Sequence, residues 1–319
     1  MEKVNLTSGF VLLAFSDLHY NHAALFSTIL VIYTLTWIAN LLLLTSIKVS
    51  SHLHTPMYFF LGNLSVVDIS FSTVTVPMLL FYVLHGRTSI SFLGCFLQMF
   101  FLMFLGVTEI FLLSAIAFDR YLAICNPLCY TSLMNDKVIV ILSSSCWVAG
   151  ALHSLLHTYV VSQLTYCEDR LIPHFFCDMT PLIKLSCSST ALAELLIFTE
   201  GSIAIIIPFL FILISYVLIG WTIVKIKTSN NRSKAFSSCS SHLMVICLFY
   251  GTIIFIYLRP PSNYSYQYDR IVSMAYTIVI PMLNPFIYSL RNQDVKNTLK
   301  KLIMQSISHK TVNPYSHEL

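Results

Sequence analysis

The sequence predicts an all-α membrane protein, a bundle of seven spanning helices followed by a short amphipathic helix. Three observations predict it. The 319 residues are 56% hydrophobic and only 10% charged, with a mean hydropathy of +0.77, too apolar for a soluble globule to cover with polar groups. Seven stretches are long and apolar enough to cross a hydrocarbon layer about 30 Å thick at roughly 1.5 Å per residue. They are continuous runs, whereas a β-barrel would show short alternating strands.

In chain order the stretches are Leu25 to Ile47, Met57 to Leu84, Cys95 to Ile124, Val138 to Val160, Leu195 to Val224, Phe236 to Leu258 and Ile271 to Leu290. Proline or polar residues weaken the signal in the second, third, fifth and seventh. The early run GFVLLAFSD has no basic leader beyond Lys3 and no small-residue cleavage pattern, so the first span itself is expected to direct insertion. After the last span, Asn292 to Met304 sets Val295, Leu299, Leu302 and Ile303 on one helical face and Lys296, Lys300 and Lys301 elsewhere. That pattern predicts a helix lying on the inner leaflet, with its lysines drawn to anionic lipid. No repeat or low-complexity linker divides residues 1–319, which are read as one domain.

Seven spans put the two ends on opposite sides, and basic residues choose the side. With the amino end outside, the cytoplasmic loops and tail hold Lys48, Arg120, Lys137, Lys225, Lys227, Arg232, Lys234, Arg291, Lys296, Lys300, Lys301 and Lys310, against Lys3, Arg87, Arg170, Lys184, Arg259 and Arg270 on the other side. Twelve against six predicts a cytoplasmic carboxyl end. The sequon at Asn5 then faces the side where glycosylation occurs. The net charge of +4 is scattered over short loops, so no nucleic-acid partner is read from it. No H-E-x-x-H, nucleophile elbow or P-loop pattern is present, and the chain is not read as an enzyme.

In this apolar chain, charge inside the spans needs a reason. Asp119 and Arg120 stand together at the inner end of the third span. Asp68 lies about 18 Å outward from Pro56, and Glu109 about 15 Å outward from Asp119, both near mid-bilayer. An isolated Asp there costs on the order of 3 kcal/mol. Asp68 and Glu109 are therefore expected to share a proton, a sodium ion or hydrogen bonds with Asn40, Ser114 and Asn284. Pro285 removes a backbone donor from the seventh helix and leaves a carbonyl for a neighbour to satisfy, so a kink is expected there.

Cys95, Cys167, Cys177 and Cys187 all fall on the outer side, where oxidation is permitted, and four cysteines allow three pairings. Cys125, Cys129, Cys146, Cys239 and Cys247 face membrane or cytosol and are expected to stay reduced. The run HFFCD (His174 to Asp178) and the pair His153 and His157 have metal-ligand spacing. Histidines one turn apart also simply hydrogen bond within a bundle, and neither set is assigned a metal from sequence.

Several runs occur together and in order: LHTPMYFFLGNLSVVDIS (Leu53 to Ser70), AFDRYLAICNPLCY (Ala117 to Tyr130), ISY (Ile214 to Tyr216), KAFSSCSSH (Lys234 to His242), FYG (Phe249 to Gly251) and PMLNPFIYSLRN (Pro281 to Asn292). Their combination resembles the tetrapod-type olfactory receptors, a branch of the rhodopsin-like G-protein-coupled receptors, over nearly the whole chain. Ala39 stands where that family usually has Gly, and Ile116, Phe118 and Leu122 replace its usual Met, Tyr and Val, with no change of charge.

The resemblance implies an odorant receptor of the plasma membrane. Its partners would be a small volatile ligand, the lipid bilayer and an olfactory-type stimulatory G protein that raises cyclic AMP. It implies that Asp119 holds Arg120 at rest, next to Tyr121, and that Arg120 on release meets Tyr216, Tyr288 and the G protein. Many rhodopsin-like receptors also use an acid at the base of the sixth span; here Asn230 to Lys234 contains none, and any resting lock relies on other contacts. The resemblance selects the disulfides Cys95 with Cys177 and Cys167 with Cys187, claiming the thiolate of HFFCD. It supports a sodium site at Asp68 and Glu109, the neutral hydrogen-bonded network being the alternative, and no other cofactor.

The ligand lining implied by resemblance is Met103, Gly106, Val107, His157, Glu200, Ala204, Tyr250, Ile253, Tyr257 and Thr277. This mostly apolar set suits molecules that bind by leaving water. Leu102 stands where amine receptors place an Asp. Glu200 is expected to orient a donor or basic group of the ligand; its alternative is a structural pairing with a neighbour such as His157. The rival class is a transporter or channel that uses the mid-membrane acids, which predicts internal repeats; none is seen.

Overall fold

The computed structural model describes residues 9–14, 21–86, 88–167, 170–257, 266–291 and 295–300. Long helices dominate them: α1 (His22–Val49), α2 (Pro56–His85), α3 (Phe92–Cys125), α5 (Asp136–Ser162), α8 (Ser202–Lys225), α9 (Ser229–Tyr257) and the pair α10 (Tyr266–Met274) and α11 (Ile280–Arg291). Short α4 (Tyr130–Leu133) and α6 (Met179–Lys184) lie in the connections, and α7 (Ala191–Leu196) begins the fifth span. A π-helical turn at Ile197–Gly201 joins α7 to α8, and a second at Ala275–Val279 joins α10 to α11. The seven spans read from the sequence are thus present, with helix ends reaching a few residues beyond the apolar cores.

Apolar side chains cover both faces of most of these helices. Phe198, Val217 and Trp221 stand open on the outside, while Phe60, Val67, Leu112 and Phe249 are buried in the bundle. A helix apolar all round belongs in a bilayer. Six of the helical spans are long and apolar enough to cross one, and the apolar part of α9, Cys239–Phe255, is shorter. The reason is local: Ser237, Ser238, Ser240, Ser241 and His242 interrupt the apolar run near one end of α9. Its 29 residues still reach about 44 Å.

Local chemistry sets the helix ends. Asn21, Ser91 and Asn135 cap α1, α3 and α5, their side chains accepting from Ala24, Gly94 and Val138 backbone N–H groups. Pro56 opens α2, where its missing donor costs nothing, and Gly86 ends it at φ +81°, a conformation that favours glycine. Inside α11, Pro285 cannot donate to the carbonyl of Pro281, one turn back. The Asn40 amide of α1 donates to that oxygen at 3.1 Å, so the expected orphan carbonyl is satisfied across the helix pair. The helix runs through Pro285 without a break, and the irregular turn lies just before it, at Ala275–Val279.

One end of the bundle is closed by a small sheet. Strand β1 (Gly9–Leu12) pairs antiparallel with β2 (Thr88–Ser91) and parallel with β3 (Leu171–Ile172). Phe10 is fully buried there between Phe92 and Tyr166, with ring centroids 4.9 and 5.0 Å away. Tyr82 donates to the Leu13 carbonyl at 2.6 Å, and Arg270 donates to the Ala14 carbonyl. Both disulfides, Cys95–Cys177 and Cys167–Cys187, lie at this end in the pairing the resemblance implied. The five remaining cysteines are free. At the opposite end residues 295–300 are helical, and Val295 and Leu299 pack on the bundle core. The rest of the expected amphipathic helix, and Asn5, lie outside the described residues.

Candidate functional site

At the end opposite the disulfides, Asp119 is fully buried and holds two donors. Arg120 donates Nε to Oδ2 at 2.9 Å and pairs with the same carboxylate through Nη2. Tyr130, carried by α4 beyond the end of α3, donates its hydroxyl to Oδ1 at 2.7 Å. Burial, then the Asp119 carboxylate, keeps this phenol protonated, above its ordinary pKa. The Tyr216 hydroxyl of α8 bonds His242 Nδ1 on α9. Tyr288 is buried and its hydroxyl has no partner. Tyr121 is half-buried and packs against Ile219, Ile223 and Cys239. Tyr130 and His242 were not singled out by sequence reasoning, although each closes a run that carried the resemblance. What was missing was the fold of α4 back under α3 and the facing of α8 and α9.

At mid-bundle, Asn284 donates to Asp68 Oδ1 at 2.9 Å and also reaches Glu109. Asp68 Oδ2, Glu109 Oε1 and Asn284 Oδ1 are buried without partners. Three buried oxygens lacking donors, on residues linked through the Asn284 amide, fit a proton or a small hard cation such as sodium. The wider network expected from sequence is narrower in the structure. Asn40 serves the Thr36 and Pro281 carbonyls, and Ser114 donates to Ile110 O within its own helix. The unpaired Pro281 carbonyl draws Asn40 away, and Ser114 has a carbonyl one turn back within reach.

Toward the disulfide end the residues expected to line a ligand site divide into two groups. Gly106, Val107, Tyr250, Ile253 and Thr277 are buried among α3, α9 and the second π turn. Met103 is partly buried and packs beneath the disulfide-end lid. The Tyr276 hydroxyl comes so close to Gly106 that a β-carbon there would lie 2.7 Å from it. Tyr276 also stacks edge-on against Phe71 and Phe249, at 5.0 and 5.5 Å. It occupies the centre of this region and was not foreseen, having no partner signal along the sequence. The Tyr257 side chain lies outside the described residues.

His157, Glu200 and Ala204 form the second group, on the flank between α5 and α8. Glu200 accepts from both histidines, His153 Nδ1 at 2.8 Å and His157 Nε2 at 2.7 Å. Beside them Phe111, Ala149, Leu152, Leu156 and Ala204 line a cavity of about 240 Å³. Glu200 is therefore paired with both His153 and His157. The other metal spacing noted from sequence is spent otherwise. Cys177 is in a disulfide, and buried His174 stacks on Phe175 with Nε2 3.3 Å from the Ser273 hydroxyl.

A protein-family model described as "Olfactory receptor" matches residues 29–306. The chain belongs to the olfactory receptor family. Olfactory receptor 1J1 of Mus musculus is 47% identical over 296 residues, 93% of this chain and 95% of that protein. Olfactory receptor 1G1 of Gorilla gorilla gorilla is 47% identical over 305 residues, 95% of this chain and 97% of that one. Olfactory receptor 1N1 of Homo sapiens is 44% identical over 312 residues, 98% and 99% of the two chains. As a member of this receptor family the protein is a multi-pass membrane protein and not an enzyme. An ion pair, a mid-bundle carboxylate pair and an aromatic cluster toward the disulfide end share one bundle. Each lies at a different depth along α3, which presents Met103, Gly106, Glu109 and Asp119 in turn.

Proposed function

We propose that the protein is an odorant receptor of the plasma membrane, with the disulfide end outside and the Arg120 end in the cytoplasm. It binds small, mostly apolar volatile molecules in the disulfide-end half of the bundle. Binding shifts the packing of α8, α9 and α11, frees Arg120 from Asp119, and recruits an olfactory-type stimulatory G protein that raises cyclic AMP. The observation that carries the reading is the buried Asp119 carboxylate, held by Arg120 and Tyr130 at the mouth of the bundle. A charge pair so placed has no structural necessity in an apolar helix and is suited to a two-state switch. Near it, Tyr216 and Tyr288 offer hydroxyls that Arg120 meets when the resting contacts open.

The lining chemistry supports the ligand class. Val107, Tyr250, Ile253 and Thr277 offer apolar surface with two hydroxyls, and burial of a small apolar ligand gains roughly 25 cal/mol per Å² removed from water. Asp68, Glu109 and Asn284 would hold a sodium ion, whose charge would stabilise both carboxylates in one packing of the bundle. Asn5 is the proposed glycosylation site, and residues 1–319 act as one receptor domain.

The experiment is cyclic AMP measured against an odorant panel in cells supplied with the olfactory-type G protein, with membrane current and uptake recorded in the same cells. Ligand-dependent cyclic AMP that Arg120→Ala abolishes at equal surface expression supports the reading. Current or uptake without cyclic AMP would move the protein to the transporter or channel class.

A further inference from the structure

We infer that His153, His157 and Glu200 form a binding site for a divalent cation of the zinc class, on the flank of the bundle between α5 and the turn that begins α8. The inference does not rest on the signalling reading above.

Three features carry it. The donors are the right kind, two imidazole nitrogens and a carboxylate, a set that borderline cations such as zinc prefer over magnesium or calcium. They already converge, since one ring nitrogen of each histidine and one Glu200 carboxylate oxygen all lie within 4.8 Å of one another. The two histidines sit one turn apart on one face of α5. The third donor comes from the π-helical turn Ile197–Gly201, a wide turn that re-aims a side chain relative to a regular helix and is frequent at functional sites.

Metal bonds of about 2.0–2.2 Å place tetrahedral donors roughly 3.3 Å apart. The N···O separations of 2.8 and 2.7 Å open by about half an ångström to admit the ion, and donors as far apart as 4.8 Å close by up to about 1.5 Å. A tautomer shift turns each nitrogen's lone pair to the metal, and the carboxylate then bonds the ion instead of the two N–H groups. His157 is 2% exposed and its rotamer is fixed by packing, while the Glu200 side chain is 38% exposed and free to adjust.

The surroundings complete the argument. Three polar groups on the membrane flank are expensive unless they have a use, and the adjoining cavity of about 240 Å³ has room for a water in the fourth coordination position. Bound there, the ion ties α5 to the start of α8.

The test uses the full chain, purified in lipid nanodiscs and titrated with Co²⁺ as a spectroscopic stand-in for Zn²⁺. The expected result is one tight equivalent with the visible bands of tetrahedral cobalt. His153→Asn and Glu200→Gln, which keep amide groups able to hydrogen bond, should each weaken binding at least tenfold. Because both residues are partly exposed, these variants are chosen over changes at buried His157. As a second readout, Zn²⁺ should raise the melting temperature of the native receptor and not that of either variant. No tight binding by the native chain, or equal affinity and equal spectra in native and variants, overturns the inference.

Discussion

Replacing Gly150 by alanine tests how α5 is held against α3. A β-carbon there would lie 2.9 Å from the Phe104 carbonyl oxygen and 3.2 Å from the Thr108 amide nitrogen, and would overlap the Thr108 hydroxyl. That hydroxyl donates to Phe104 O at 2.7 Å, so the added methyl strikes both ends of one hydrogen bond. Backbone atoms of a helix cannot rotate away. Reaching an ordinary separation of 3.4 Å requires α5 to retreat by about half an ångström. Overpacking of this kind costs about 1–3 kcal/mol, and the better helix propensity of alanine returns about 0.5–1 kcal/mol. The net loss, about 1 kcal/mol at central values and up to about 2.5 kcal/mol, should lower the melting temperature by a few degrees. Gly220 and Gly251 are the controls, because a β-carbon at either meets no heavy atom within 4 Å. Alanine at those two sites should leave the midpoint unchanged or slightly raised. The assay is thermal unfolding in nanodiscs, read by a thiol-reactive dye that labels buried Cys146 and Cys239 after the exposed cysteines, Cys129 and Cys247 among them, have been blocked. A Gly150→Ala midpoint at or above the native value would refute the close approach of α5 and α3.

Three other substitutions read other parts of the bundle. Tyr130→Phe removes one donor from buried Asp119, and a hydrogen bond to a charged group contributes about 1.5–3 kcal/mol. Agonist-independent cyclic AMP should rise up to about tenfold at equal surface expression, and an unchanged basal signal would remove Tyr130 from the resting lock. Asn40→Leu keeps the branched shape but leaves the Pro281 carbonyl unsatisfied, at about 1–3 kcal/mol; a melting temperature equal to native would contradict that pairing. At His174, burial and then the Arg270 guanidinium push the imidazole down to about 3, so it stays neutral in the folded chain. An unfolded histidine takes a proton below about pH 6.5, so this site loses stability as pH falls from there toward 3. Asp178, pushed up to about 6 mainly by burial, works in the opposite sense: the folded chain holds the extra proton between about pH 4 and 6. His174→Gln should therefore lose less melting temperature than the native receptor between pH 7 and pH 5, and parallel losses would show that His174 does not drive the change.

The bundle was legible because the bilayer makes span length and apolarity a local property. Each span from Leu25 to Leu290 could be read without knowing its neighbours, with proline or polar residues blurring the ends of the second, third, fifth and seventh, while the short apolar part of the sixth emerged from the structure. Asp119, Arg120, Asp68 and Asn284 were legible for a related reason, since charge in an apolar run stands out. The disulfide pairing was not derivable from spacing and came from the resemblance. What stayed hidden depends on facing between distant elements. Tyr130 reaches Asp119 only through the fold of α4, His242 meets Tyr216 only because α8 and α9 face one another, and Asn40 serves Pro281 across 241 positions of sequence. Glu200 was visible as an oddity, but its partners depend on a π turn that no residue pattern announced. The strand at Gly9–Leu12 was missed for the same reason, since its pairing partners are 76 residues or more away.

The measurement that bears most directly on the account is GDP release from a purified stimulatory G protein by the purified receptor in nanodiscs, with and without an agonist identified in cells. The account predicts that agonist accelerates release and that Arg120→Ala, still binding the agonist, does not. Agonist that binds the native receptor yet leaves GDP release at its spontaneous rate would contradict it.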